Sequence, residues 1–158
     1  QEFKNRHGSA EIIDAQLSSS QGVPLTVFDQ DVSPLESLAL YLSEHQKLSE
    51  IQIAKLLARH PQTIITTLKH AKRRAKVHYP ANPKEERILQ KLGVVAKSQI
   101  ELSVESFANR KFTVLEHVVI YLSGNFKLKN YEIARLLHRD SRTIWTLLNR
   151  ARGKGSDV

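Results

Sequence analysis

The sequence predicts a mainly α protein made of two tandem helical repeats, each ending in a helix-turn-helix, with a short two-stranded β ribbon available to join them. Three observations predict it. Residues 35–74 align on residues 115–154 at an offset of 80, with seventeen identities in forty positions; chance gives about two or three, so two copies of one unit are present. Apolar residues recur at helical spacing within each copy. Capping and turn residues fall at matching places around those helices.

The elements follow in order. Ser9 is placed to cap a first helix over about 11–17, and the polar cluster at 18–22 ends it. Leu25 and Val27 alternate with polar residues at strand period, as do Ile100, Leu102 and Val104, with an offset of 77 between the two pieces. Each piece is too short to be stable alone, but the two can pair across the repeat boundary. Ser33-Pro34 opens the next helix as N-cap and first residue, with Leu35, Leu38 and Leu42 on one face. Its copy has Thr113 as cap and Leu115, Val118, Val119 and Leu122 on the face, and Gly124 is expected to end it. Asn82-Pro83 is expected to cap the helix between the repeats, and Gly93 to stop it.

These readings set the organisation: an N-terminal disordered tail over 1–8, a first repeat over 9–76 and a linker over 77–82 containing Pro80. A second repeat over 83–154 and a tail over 155–158 complete it, with the helix-turn-helix segments at about 50–74 and about 130–154.

Charge restricts the function classes. Across 158 residues, 24 Lys+Arg stand against 16 Asp+Glu, a net charge of +8. Such a balance points to polyanions, nucleic acid first. The excess is uneven: residues 1–34 carry two basic and five acidic groups, so residues 35–158 hold +11. Without cysteine, thiolate zinc sites, cysteine nucleophiles and disulfides are excluded. The longest apolar runs, 38–42 and 118–122, have five residues, so no membrane partner is expected. None of the seven His has the spacing of a zinc finger or a zincin, and the six Gly form no phosphate-cradling loop. The reading is therefore no metal, no cofactor and no enzyme. There is no Met, even at position 1, which raises the expectation of processing or of an excerpt from a longer protein.

The last two helices of each unit carry the functional signal. In the second copy, Ile133, Ala134 and Leu137 bury one helix, His138-Arg139 breaks the chain, and Asp140 caps a helix running from Ser141 to about Arg152. Ile144, Leu148 and Ala151 face inward on it. The first copy repeats the pattern with Ile53-Ala54, Leu56-Leu57 and Thr63-Ile64, and Pro61 opens its last helix. Small Ala54 and Ala134 suit a close helix crossing.

The sequence Ile133-Ala134, Leu136-Leu137, Asp140, Thr143-Ile144 and Arg150-Ala151-Arg152-Gly153-Lys154 resembles the helix-turn-helix of sigma-factor region four and its relatives. It covers about 25 residues per copy; the first copy departs at His60, where a capping residue stands in the family, and at His70 in place of Arg. The resemblance implies that the second helix of each pair lies in a DNA major groove.

The residues themselves suit that role. Arg142, Trp145, Asn149 and Arg152 form one exposed stripe, and Gln62, Ile65, Lys69 and Lys72 form its counterpart. Arg reads guanine, Asn and Gln read adenine, and apolar side chains pack on thymine methyls. Base contacts are assigned to Gln62, Ile65, Thr66, Lys69, Arg142, Trp145, Thr146 and Asn149. Phosphate contacts are assigned to Arg59, Thr63, Lys72, Arg73, Arg74, Arg139, Thr143, Arg150, Arg152 and Lys154. The expectation is a double-stranded DNA-binding transcription regulator, cytoplasmic at the nucleoid, acting as a pseudo-dimer within one chain.

Two other readings stand beside it. Trp145 and Ile65 equally suit a protein partner, RNA polymerase or another protein, on a scaffold that does not touch DNA. A rotated helix would instead place Trp145 in the core. Basic residues in a last helical turn also stabilise the helix dipole, by about 0.3–1 kcal/mol each. Glu36 and Glu116, at one repeat position near a helix start, are expected to serve the same dipole. A DNA-targeting part of a recombinase or nuclease is a third reading, though no residue here argues for catalysis.

Overall fold

A computed structural model describes residues 22–75 and 84–155. The expected first helix over 11–17, its Ser9 cap and the 77–82 linker lie outside the described residues.

The chain begins with strand β1, Val23–Pro24, and a 3-10 turn, Leu25–Asp29. Three helices complete the first copy: α1, Pro34–Glu44; α2, Glu50–Leu56; and α3, Pro61–Arg74. Helix α4, Glu85–Lys91, leads to strand β2, Glu101–Leu102, and a second 3-10 turn, Val104–Ala108. Helices α5, Val114–Phe126, α6, Asn130–Leu137, and α7, Ser141–Gly153, complete the second copy. The fold is mainly α with one small antiparallel sheet.

That sheet joins the copies. Val23 pairs with Leu102 and Pro24 with Glu101, and Leu25 N–H donates to Ile100 O at 2.8 Å. The expected cross-repeat pairing is present, but shorter than the alternation suggested. Leu25 and Val27 belong to the first 3-10 turn and Val104 to the second, so the strand readings there are corrected. The turns start at Leu25 and Val104, an offset of 79 rather than 77. Gly22 fits this junction because a Cβ there would stand 2.5 Å from Glu101 Cβ.

Local chemistry sets the helix starts. Ser33 Oγ accepts from Glu36 N–H at 3.2 Å, and Pro34 occupies the first turn of α1. Thr113 and Glu116 form a reciprocal capping box on α5, as Ser49 and Gln52 do on α2. Helix α4 starts at Glu85 with Lys84 at the N-cap and no side-chain cap, while Asn82 and Pro83, expected to cap it, lie outside the described residues. Gly93, at φ 72°, does end the run after Leu92. Gly124 does not end α5. Phe126 packs edge-on to Tyr121 at 5.5 Å and carries the helix past it, and Lys127 then turns left-handed.

Backbone turns repeat with the sequence. Lys47 and Lys127 have φ of 56° and 55°, and Ala58 and His138 have 52° and 54°, each pair 80 residues apart. Both copies feed one continuous hydrophobic core, in which Leu38, Ile53, Ile64, Phe107, Val118, Ile133 and Ile144 are buried. Ordering two small units around one core removes more apolar surface from water than either buries alone.

A polar cluster is also sealed between the copies. Lys97 Nζ lies 2.5 Å from Asp29 Oδ1 of the first copy and 3.6 Å from Glu85 Oε1, and it donates to Leu136 O. His138 Nε2 stands 3.4 Å from Asp29 and 3.5 Å from Glu85. Buried charges persist only when paired and hydrogen-bonded, so this cluster fixes how α4, α6 and the first 3-10 turn meet. Among the described residues no helix is long and apolar enough to cross a membrane.

Candidate nucleic-acid interface

Helices α6 and α7 build the better-formed surface. Glu132 Oε1 accepts from Lys129 N–H at 3.0 Å and from Lys91 Nζ at 3.2 Å, fixing the start of α6. Burial raises the Glu132 carboxyl, but the Lys129 N–H and the Lys91 ammonium outweigh it and hold the group below the usual carboxylate value. Leu136 and Leu137 are buried, and the left-handed His138 turns the chain outward. Asp140 Oδ1 accepts from Arg142 N–H at 2.7 Å, capping α7 as its sequence position requires.

Helix α7 buries Ile144, Leu148 and Ala151, together with Leu147. Arg142, Thr143, Arg150 and Arg152 are exposed, and Trp145 is 59% exposed, which excludes the core reading of that residue. Thr146 and Asn149 are half-buried, and the Thr146 hydroxyl donates to Arg142 O at 3.0 Å. Two open clefts flank the start of α7. One of about 450 Å³ is lined by Arg142, Thr143, Thr146 and Arg150. The other, of about 390 Å³, is lined by Tyr131, Arg135, His138, Arg139 and Ser141. Asp140 borders both.

Helix α3 is the counterpart. His60 Nδ1 accepts from Gln62 N–H at 3.1 Å. The imidazole therefore does the capping that its departure from the family pattern put in question. Ile64, Leu68 and Ala71 are buried. Gln62, Thr63, Ile65, Thr66, Lys69, Lys72, Arg73 and Arg74 are exposed, with Ile65 at 44%.

Two predicted phosphate ligands are otherwise engaged, and a third is partly buried. Lys154 Nζ lies 2.9 Å and 3.0 Å from the two carboxylate oxygens of buried Glu116. Arg74 stands 3.7 Å from Glu36 while remaining largely exposed. Arg59 is half-buried, and its Nε has no hydrogen-bond partner among the described residues. Burial, followed by the charge of Arg110, pushes the Arg59 guanidinium below its ordinary value. Arg139 is exposed, as expected.

Sequence reasoning missed two features of this surface. Arg135 shares the cleft with Arg139 and stacks over the Tyr131 ring at 5.3 Å. Its signal was present: it lies four residues after Tyr131, on the same face of α6. The second is the seating of His138 on Asp29 and Glu85, which links the turn before α7 to the first copy. Compared with protein-family models, curated proteins and solved structures, the chain matches none.

Proposed function

We propose that this protein binds double-stranded DNA as a transcription regulator or the DNA-binding part of one, with α3 and α7 as recognition helices of a built-in pseudo-dimer. One observation carries the reading. Two capped helices, starting at positions 61 and 141, each bury an apolar face and expose polar and basic residues on the other. Arg142 and Asn149 on α7 supply guanine and adenine readers; Gln62 and Lys69 occupy the same positions on α3. Lys72, Arg73, Arg150 and Arg152 lie in the last turns, where a phosphate backbone passes.

A homodimer with this motif reads half-sites about 34–36 Å apart. Here the stripes differ at every position, so the two half-sites are non-identical. Selection from a random duplex pool tests this. An enriched motif with two unlike halves supports the reading, and Arg142→Ala should erase the preference in one half only. A pool that enriches nothing would refute it.

A second reading rests on exposed apolar residues. Trp145, Ile65, Tyr131 at 47% and Ile51 at 69% fall in repeat-related pairs, on α7 with α3 and on α6 with α2. Such a surface suits a protein partner, RNA polymerase among them. Salt separates the two: phosphate binding collapses with ionic strength, whereas apolar docking survives it.

A further inference from the structure

The open cleft of about 390 Å³ beside the start of α7 gathers cationic donors from two elements. Arg135 comes from α6 and Arg139 from the turn that follows it. Neither guanidinium makes a hydrogen bond or an ion pair among the described residues. Each carries five N–H donors and stays charged at any ordinary pH. Asp140 supplies the one carboxylate of the lining, and its Oδ1 already accepts from Arg142 N–H. His138 also lines the cleft, but its Nε2 faces Asp29 and Glu85.

Arg135 is held without losing its donors. Its Cζ lies 5.3 Å from the centroid of the Tyr131 ring, one helical turn back. A guanidinium stacked on a ring uses its face and keeps its N–H edge for a second partner. A carboxylate partner would have fixed the side chain too, but by occupying the donors that an anion needs.

The first copy lacks this arrangement. Ile51 and Lys55 stand 80 residues before Tyr131 and Arg135. Ile51 offers no ring, and a lysine ammonium is a point charge rather than a planar fork. Arg59, the counterpart of Arg139, is half-buried with its Nε inaccessible.

Asp140 also borders the cleft lined by Arg142 and Thr143, so the two guanidiniums stand next to the recognition face of α7. A helix that lies in a major groove brings its start close to a strand of the phosphate backbone. Resting on the DNA reading above, we propose that Arg135 and Arg139 clamp one backbone phosphate beside the half-site read by α7. Tyr131 is the positioning residue for Arg135, and the first copy has no equal clamp. The second copy is thus the stronger anchor of the pair.

The test titrates a labelled random-sequence duplex with the full chain at several salt concentrations. Arg135→Ala should reduce the log–log salt slope by about one. Arg135→Gln, which keeps the stem beside the ring, should do the same. Lys55→Ala removes a charge at the same place in the first copy and should reduce the slope by less. Tyr131→Leu should weaken binding about two- to fivefold at fixed salt, the share of an exposed cation–π contact, whereas Tyr131→Phe should not. Arg135 is half-buried and Lys55 and Tyr131 are exposed, so the fold tolerates these changes. Three results would overturn the clamp while leaving DNA binding intact: an unchanged slope in both Arg135 variants, equal slope losses in Arg135→Ala and Lys55→Ala, or equal affinities of Tyr131→Leu and Tyr131→Phe. Absence of duplex binding by the unaltered chain at low salt would remove the DNA reading, and the clamp with it.

Discussion

Lys154 closes on Glu116 at 2.9 Å, and the same contact occurs 80 residues earlier between Arg74 and Glu36 at 3.7 Å. In each copy the last turn of the third helix is thus tied to the first turn of the first. The two pairs differ in burial: Glu116 is 2% exposed and Glu36 13%. Removing the cation from a buried carboxylate costs more than removing it from a wetter one. Lys154→Ala should therefore lower stability by about 1–3 kcal/mol and Arg74→Ala by no more than about 1 kcal/mol, measured by urea unfolding. Lys154→Ala should also leave the salt dependence of DNA binding nearly unchanged, whereas Arg150→Ala or Arg152→Ala should reduce its slope by about one each.

Lys97 is the hub of the junction, facing Asp29, Glu85 and the Leu136 carbonyl. Lys97→Met leaves two carboxylates buried without their ammonium. The expected loss is about 3–5 kcal/mol, as for breaking other buried pairs from one side. Asp29→Asn combined with Lys97→Met should recover part of it; a double variant no more stable than the single one would show that the pair carries no coupling.

Glu132 gives a pH signature of known sign. Its folded carboxyl sits below the usual value, so the bonds from Lys129 and Lys91 add stability that is fully present above the ordinary carboxylate range. That stability is lost as pH falls through the depressed folded value. Glu132→Gln should flatten this part of the acid limb in thermal unfolding between about pH 5 and pH 2, and an unchanged limb would contradict the assignment.

Ala58 adopts a left-handed φ of 52° at an exposed position with only a methyl side chain, while its repeat counterpart His138 reaches Asp29 and Glu85 from the same conformation. Ala58→Gly should stabilise the protein by up to about 1 kcal/mol. His138→Gly should not, since the strain it relieves is offset by lost contacts. Chemical denaturation of the two variants separates these outcomes.

Local signals were the legible part of this fold. Ser33, Thr113, Asp140, Pro34 and Pro61 each act on neighbours within four residues, and each does in the structure what its type and place predict. The cross-repeat ribbon was legible because two short apolar pieces need a partner. Gly124 misled because its helix-breaking tendency, about 1 kcal/mol, is smaller than the packing of Phe126 on Tyr121 beyond it. The Lys97 cluster was hidden because its members, Asp29, Glu85, Lys97 and His138, are spread over the chain and meet only once the copies dock. Lys154 read as a surface cation for the same reason, its partner lying 38 residues away.

The most direct test of the central claim is the affinity of the full chain for a labelled duplex, measured by fluorescence anisotropy at several salt concentrations. Two recognition helices engaged together predict a log–log salt slope that corresponds to about six or more neutralised phosphates. Absence of binding at low salt, or an affinity indifferent to salt, would contradict it.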